Sequence, residues 1–188
     1  MQHDIGRTVT IEELRQIIKS VKKQWQSLIV HCSAVRDNII ISDFDAIRKF
    51  HKSYRYQGNI INRVEANKIM ASGKKVVFPW QEIGYHIVIE YMNGGIVIKL
   101  GRSLESSGAH CTGQNGVAIG ICVVGDFNET EPNAETYETL AEVIELLVKH
   151  NSVKLDKVYP HSFFATWKSC PGKKFLMSKL MAIICSKL

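Results

Sequence analysis

The stretch 159–175, Y-P-H-S-F-F-A-T-W-K-S-C-P-G-K-K-F, brings His161, Lys168 and Cys170 close together in the chain. Imidazole nitrogen and thiolate sulfur are the borderline and soft donors that zinc takes, and an open catalytic zinc site uses three protein ligands plus water. His31, at the end of the apolar run S-L-I-V-H, is a third candidate donor. Two histidines and one cysteine would leave a fourth position open. Residue types alone leave two readings standing: part of a metal site, or loop residues in a basic protein. The chain has 7 histidines, so some such trio is expected by chance. His3, His51 and His150 read as surface residues.

Lys168 has two readings as well. The residue before a proline prefers an extended conformation, and positions i and i+2 of an extended segment point to one side. Lys168 would then stand beside Cys170, its ammonium within reach of an oxyanion; otherwise it is a solvated lysine. Tyr85 and His86 open the run Y-H-I-V-I-E-Y. Strict strand alternation puts Tyr85 with Ile87 and Ile89 and His86 with Val88, so only one of the pair can face a given site. Either is otherwise a core or rim aromatic.

These residues need a scaffold, and its elements are legible. Thr10-Ile11-Glu12-Glu13 is a capping box opening a helix with Leu14, Ile17, Ile18 and Val21 at helical spacing. Residues 27–31 read as a short strand. Ser42-Asp43 can cap a second helix carrying Phe44, Ile47 and Phe50. Residues 56–81 read as an inserted loop or hairpin, since their apolar pattern is weak and Gly58, Gly73 and Pro79 interrupt it. The 85–91 run returns through an Asn93-Gly94 type I′ turn into I-V-I-K-L. V-A-I-G-I-C-V-V-G-D is apolar almost throughout, as a central strand would be. Asn133 caps a long helix to about residue 149, and a last helix is expected over 173–186, after a turn at Pro171-Gly172. Interleaved helices and strands predict an α/β fold, a single mixed β-sheet with helices packed on its faces.

Composition sets the outer limits. The 188 residues are 45% hydrophobic and 22% charged, ordinary for a globular chain with a sizeable core. No apolar run approaches the roughly 20 residues of a membrane helix, and residues 1–10 lack the basic and apolar regions of a secretory signal. The net charge of +6 favours polyanionic partners such as an anionic cell wall, but the basic residues are scattered and no nucleic-acid motif accompanies them. The 5 cysteines are odd in number and none are spaced C-x-x-C, so no disulfide framework is expected. Cys122 and Cys185 lie in apolar runs and read as core; Cys170 precedes Pro171-Gly172 in a loop.

Taken in order, I-V-H-C-S-A (29–34), the helix around Ile47 to His51, I-G-Y-H-I-V-I (83–89), S-S-G-A-H-C-T-G-Q-N (106–115), A-I-G-I-C-V-V-G (118–125) and H-S-F-F-A-T-W-K-S-C-P-G (161–172) resemble the zinc-dependent N-acetylmuramoyl-L-alanine amidases. These form the type-2 amidase and peptidoglycan-recognition-protein superfamily, and the small phage lysozyme-type branch is the most similar part of it. Each segment is weak alone; the ordered set, with H-x6-K-x-C-P-G late in the chain, is specific. The resemblance implies Zn2+ held by His31, His161 and Cys170. It implies that Tyr85 stands beside the attacking water and that Lys168 stabilises the tetrahedral intermediate. His110 and Asn115 match positions lining a peptide groove, and His86 a supporting position behind the ligands. It further implies hydrolysis of the amide between N-acetylmuramic acid and L-alanine.

The expected partner is therefore peptidoglycan (a muropeptide), with no nucleic acid, no membrane span and a monomeric protein. The expected organisation is one catalytic domain over 1–188 with 56–81 inserted, where it could wall the groove before Tyr85. Synthesis in the cytoplasm without a signal peptide and action on the wall after phage-type lysis fit this picture. The competing reading is a peptidoglycan-binding module without catalysis; such members of the superfamily typically lack the cysteine ligand, which here is present. Nothing in the sequence supports a third reading, a protein that regulates another protein.

Overall fold

A computed structural model describes residues 4–34 and 42–188; His3 lies outside them. A mixed sheet of six strands forms the centre, in the order β1 (Thr8–Val9), β6 (Gly95–Leu100), β5 (Ile87–Met92), β7 (Ala118–Val123), β2 (Ser27–Cys32), β8 (Val158–Pro160). The β1–β6 and β6–β5 pairs are antiparallel; β5–β7, β7–β2 and β2–β8 are parallel. Both β2 and β7 are buried along their whole length, which explains their nearly unbroken apolar sequence.

Alternation along these strands divides the interior. Leu28, Val30, Ile119, Ile121, Ile87 and Ile89 point to one face and pack with Leu14 and Ile18 of α1 (Ile11–Ser20), with Leu140 and Ile144 of α4 (Ala134–His150), and with Leu180 and Ile184 of α5 (Met177–Lys187). On the opposite face Val88 and Cys122 pack against Phe44 and Ile47 of α2 (Phe44–His51). The capping expectations hold at atomic detail. Thr10 and Glu13 form a reciprocal capping box, Asp43 accepts from the Ala46 N–H, and Asn133 accepts from the Thr136 N–H.

Five expectations need correction. Of the loop-or-hairpin reading of residues 56–81 the hairpin is present, and the remainder is more ordered than a loop. β3 (Tyr54–Tyr56) and β4 (Asn59–Ile61) form a hairpin whose turn residues Gln57 and Gly58 both have positive φ. A helix follows, α3 (Arg63–Ala71), opened by an Asn62–Glu65 capping box. It was hidden because only Ala66 on it is buried, so it carries no apolar stripe. His51 is not a surface residue. It falls one turn after Ile47 on the inward stripe of α2, and its Nδ1 accepts the Gly84 N–H at 3.0 Å. Cys185 is exposed, because Leu180 and Ile184 define the inward side of α5.

The last helix starts at Met177, later than expected. The N–H groups of Lys173, Lys174 and Leu176 are taken by Asn128 Oδ1, Phe127 O and the Tyr137 hydroxyl, so they point away from a helix axis. Finally, strict alternation fails at the start of β5. The carbonyls of His86 and Tyr85 accept from the consecutive N–H groups of Gly101 and Arg102, ahead of the regular ladder that begins at Ile87. A Cβ on Gly101 would lie 2.1 Å from Tyr85 O, so this irregular edge requires glycine. Tyr85 consequently packs on the Val88 side, and His86 packs edge-on against Trp25 in the opposite core.

Two histidines are built into this fold as neutral acceptors. His86 Nδ1 accepts the Gly120 N–H, and its Nε2 donates to Ser106 O. Burial lowers His86 and His51 each to about 3. The unfolded chain takes these protons near pH 6.5, the folded chain only near pH 3, so unfolding takes up protons in between. The stability they contribute is present above pH 6.5 and is lost as pH falls. Urea unfolding should therefore weaken from pH 7 to pH 5, by up to about 1.4 kcal/mol per pH unit for each histidine below 6.5. An unfolding free energy that stays flat over that range would contradict it.

Candidate metal centre

The β2–β8 register pairs Val30 with Pro160, so His31 and His161 emerge side by side at the carboxyl ends of two parallel strands. Ligand sites in open α/β sheets form at such strand ends. Their rings lie 4.3 Å apart between centroids. His161 opens a short 3-10 turn (His161–Phe163), and the loop beyond it closes when the Ser162 N–H donates to Cys170 O at 2.8 Å. That bond returns Cys170 to the strand ends, where its Sγ accepts the Cys32 N–H at 3.3 Å. Among the described residues, the donor atoms of His31, His161 and Cys170 all lie within 4.8 Å of one another.

A hydrogen-bond chain decides which nitrogen of His31 is free. His110 Nε2 lies 3.2 Å from Ala118 O, and a carbonyl can only accept, so that nitrogen carries the proton. Burial lowers His110 to about 4, so the ring is neutral near pH 7 and its Nδ1 is an acceptor. His31 Nε2, 3.1 Å away, must donate to it. Burial foremost, then the neighbouring histidines, holds His31 well below its ordinary value. Its Nδ1 therefore keeps a lone pair, and that atom lies 3.9 Å from Cys170 Sγ. Burial and the Lys168 charge lower His161 to about 4. The side-chain hydrogen bond with Cys32, and then burial, hold the Cys170 thiol well above its ordinary value. A divalent cation between the three donors would remove that proton. Two neutral imidazoles and one thiolate in this arrangement fit zinc.

The donors lie at the floor of a groove of about 930 Å³. Tyr85 lines it with its ring 5.0 Å from that of His31, and burial raises its hydroxyl well above the usual range, so it stays a proton donor. Lys168 is exposed at the rim, and its charge acts on both His31 and His161. His110 also lines the groove, although both its ring nitrogens are engaged as described. Asn115 borders the adjoining hollow; its Oδ1 accepts the His110 and Cys111 N–H groups at 2.7 and 2.9 Å, fixing the loop that carries His110. His86 touches none of the three donors. Its ring packs 5.8 Å from His110, and a Cβ added to Gly108 would meet both rings.

Four further residues line the groove: His51, expected at the surface, and Arg55, Trp80 and Trp167. His51 had a signal in its spacing from Phe44 and Ile47. Trp167, 80% exposed beside Lys168, and Arg55, in the hairpin, had none.

Comparison with known proteins agrees with the geometry. The family model described as N-acetylmuramoyl-L-alanine amidase matches residues 21–173. An endolysin of Klebsiella phage KP32 is 25% identical over 158 residues, 80% of this chain and 83% of its own. Among solved structures, the N-acetylmuramoyl-L-alanine amidase LysC from Clostridium intestinale superposes with a TM-score of 0.58 at 18% identity, covering 97% of this chain and 93% of that one. Peptidoglycan recognition protein-LE, in complex with tracheal cytotoxin, a monomeric diaminopimelic acid-type peptidoglycan, gives a TM-score of 0.55 at 17% identity over 83% and 81% of the two chains. The structural likenesses speak for a shared fold. The sequence match runs through both parallel strand ends and the late loop, and the chain belongs to the N-acetylmuramoyl-L-alanine amidase family.

Proposed function

We propose that this chain hydrolyses the amide bond between the lactyl group of N-acetylmuramic acid and L-alanine in peptidoglycan, with zinc held by His31, His161 and Cys170. The observation that carries this reading is the convergence of those three donors, with the His31 Nδ1 lone pair kept free, at the floor of a groove also lined by Tyr85 and Lys168. Zinc in this position would supply a Lewis acid that lowers the pKa of water toward about 7 and polarises a carbonyl.

The chain's own residues do the rest. Lys168 brings a positive charge to the oxygen that becomes negative when the carbonyl is attacked. Tyr85, protonated at working pH, donates a hydrogen bond to that oxygen or orients the attacking water. His110 holds His31 in the tautomer and orientation that present Nδ1, the part that outer partners play around metal-bound histidines. The groove, with Trp167 and Lys168 exposed at its edge, admits a wall polymer, and the net charge of +6 favours approach to an anionic wall. The phage endolysins among its relatives fit a bacteriolytic use.

Mass spectrometry of products from defined muropeptides tests the bond cleaved: free L-alanine termini are expected, and binding without their release would favour a non-catalytic module. Cys170→Ala should lose both zinc, by metal analysis, and turnover. Lys168→Ala should keep zinc and lose about 10²- to 10³-fold in kcat; zinc loss in that variant would contradict its role. His110→Ala should weaken zinc about 10- to 100-fold by competition with a chelator. Gly120→Ala should act in the same direction, because its added Cβ would lie 2.5 Å from the His110 ring.

A further inference from the structure

The segment 52–81, between α2 and Tyr85, holds nearly all of the chain's excess charge. Lys52, Arg55, Arg63, Lys68, Lys74 and Lys75 stand in it against Glu65 alone, so it supplies a net +5 of the chain's +6. Arg55 is buried and the other five cations are exposed. Lys52 reaches Glu82 at 3.4 Å. Among the described residues no carboxylate pairs with Arg63, Lys68, Lys74 or Lys75, whereas Lys149, Lys179 and Lys187 on α4 and α5 each hold a glutamate at 2.6 to 3.1 Å. Glu65 is engaged at the start of α3, where it accepts the Asn62 N–H.

The same segment exposes Ile60, Val64, Val77 and Phe78, and backbone bonds hold three of them in place. Val77 exchanges two hydrogen bonds with Arg55, both 2.9 Å, and Arg55 pairs with Ile60 in the hairpin. Residues paired across antiparallel strands share a face, so Val77 and Ile60 flank Arg55 on one side. Phe78 falls on the reverse face with Tyr54, their ring centres 5.6 Å apart. Lys68 lies in the last turn of α3, and the Lys74 N–H donates to Ile69 O at 3.3 Å, which ties the lysine pair to the end of that helix. Unpaired ammonium groups and half-exposed apolar side chains thus adjoin along one ordered strip.

This combination selects a partner. Lysines beside a strand edge can serve only to keep other strands away, but that use gains nothing from Val77 and Phe78 standing in water. Single-stranded nucleic acid is held by aromatic stacking beside a charged groove, and three of these four exposed apolar residues are aliphatic. An anionic phospholipid surface takes both features: its phosphates face the ammonium groups, and apolar side chains enter the boundary between headgroups and acyl chains. No helix among the described residues is long and apolar enough to cross a membrane, so the contact is peripheral.

We propose that the 63–78 strip docks this protein on an anionic phospholipid surface, with Lys68, Lys74 and Lys75 at the phosphates and Phe78 in the headgroup layer. Val77 also lines the groove, so docking sets the groove beside the membrane. The proposal goes beyond the amidase reading and stands without it, because vesicles carry no peptidoglycan.

The test is co-sedimentation of the full chain with vesicles of phosphatidylcholine alone and of phosphatidylcholine with about one third phosphatidylglycerol. Binding is expected to the anionic vesicles only, and it should fall away at about 1 M salt. Replacing the three lysines together (Lys68→Gln, Lys74→Gln, Lys75→Gln) should weaken it about 100-fold, and Phe78→Ser about tenfold. All four side chains are exposed, and an unchanged thermal midpoint checks that each variant is folded. Retention of the lysine variant on purified cell wall should match that of the unaltered chain. Absence of binding to the anionic vesicles, or equal binding to both kinds, overturns the proposal without any variant. Undiminished vesicle binding by the lysine variant overturns it too. A loss in that variant with none in Phe78→Ser, or a matching loss on purified wall, assigns the strip to a hydrophilic polyanion and sinks the lipid partner.

Discussion

The site depends on one neutral hydrogen-bond chain, Ala118 O to His110 to His31. A metal needs the lone pair of a particular ring nitrogen, and an imidazole that can swap tautomers offers it only part of the time. The chain removes that freedom, because a carbonyl cannot donate and burial keeps both rings unprotonated. Much of the fold serves this constraint. The β2–β7 pairing sets Gly120 beside Ile29, and the missing side chain at Gly120 leaves room for the His110 ring above the sheet. Asn115 gathers the His110 loop by accepting two backbone N–H groups, and the missing side chain at Gly108 leaves room for the His110 and His86 rings.

The groove has two walls made by different physics. The late loop, with Lys168 and Trp167, is closed by backbone bonds and stands open to water. The opposite wall is a packed aromatic layer of Phe50, His51, Trp80 and Tyr85. It is tied to the sheet by a buried carboxylate. Glu90 of β5 accepts the Phe44 N–H at the start of α2 at 2.6 Å and pairs with Lys99 at 3.3 Å, so charge and helix dipole are met together. Beside this wall the hairpin places Arg55 between the Phe50 and Trp80 rings, with its Nε and Nη2 buried and without a hydrogen-bond partner among the described residues.

Legibility in the sequence followed the range of the interactions. Local devices were readable: the Thr10 capping box, the Asn133 cap, the Asn93-Gly94 turn and the unbroken apolar run of β7 each act within a few residues. The α3 helix was not legible, because a helix that buries almost nothing shows no periodicity. The start of α5 was placed too early because its N–H groups are claimed by residues some forty positions upstream, which no window on 173–186 contains.

By itself the sequence determined the chemistry on offer: a histidine ending an apolar strand, a second histidine and a cysteine around Lys168, and an ordered set of segments that resemble one family. Those are properties of residue type and order. Tertiary structure alone decided that His31 and His161 meet, through a parallel register between strands more than a hundred residues apart. It also decided that His51 turns inward, that Tyr85 shares a face with Val88 because the strand edge is irregular at Gly101, and that two nitrogens of Arg55 are buried without a hydrogen-bond partner. The physical reason is common to all of these. Tautomer, burial and unsatisfied polarity belong to pairs of groups brought together in space, and no single position in the chain carries them.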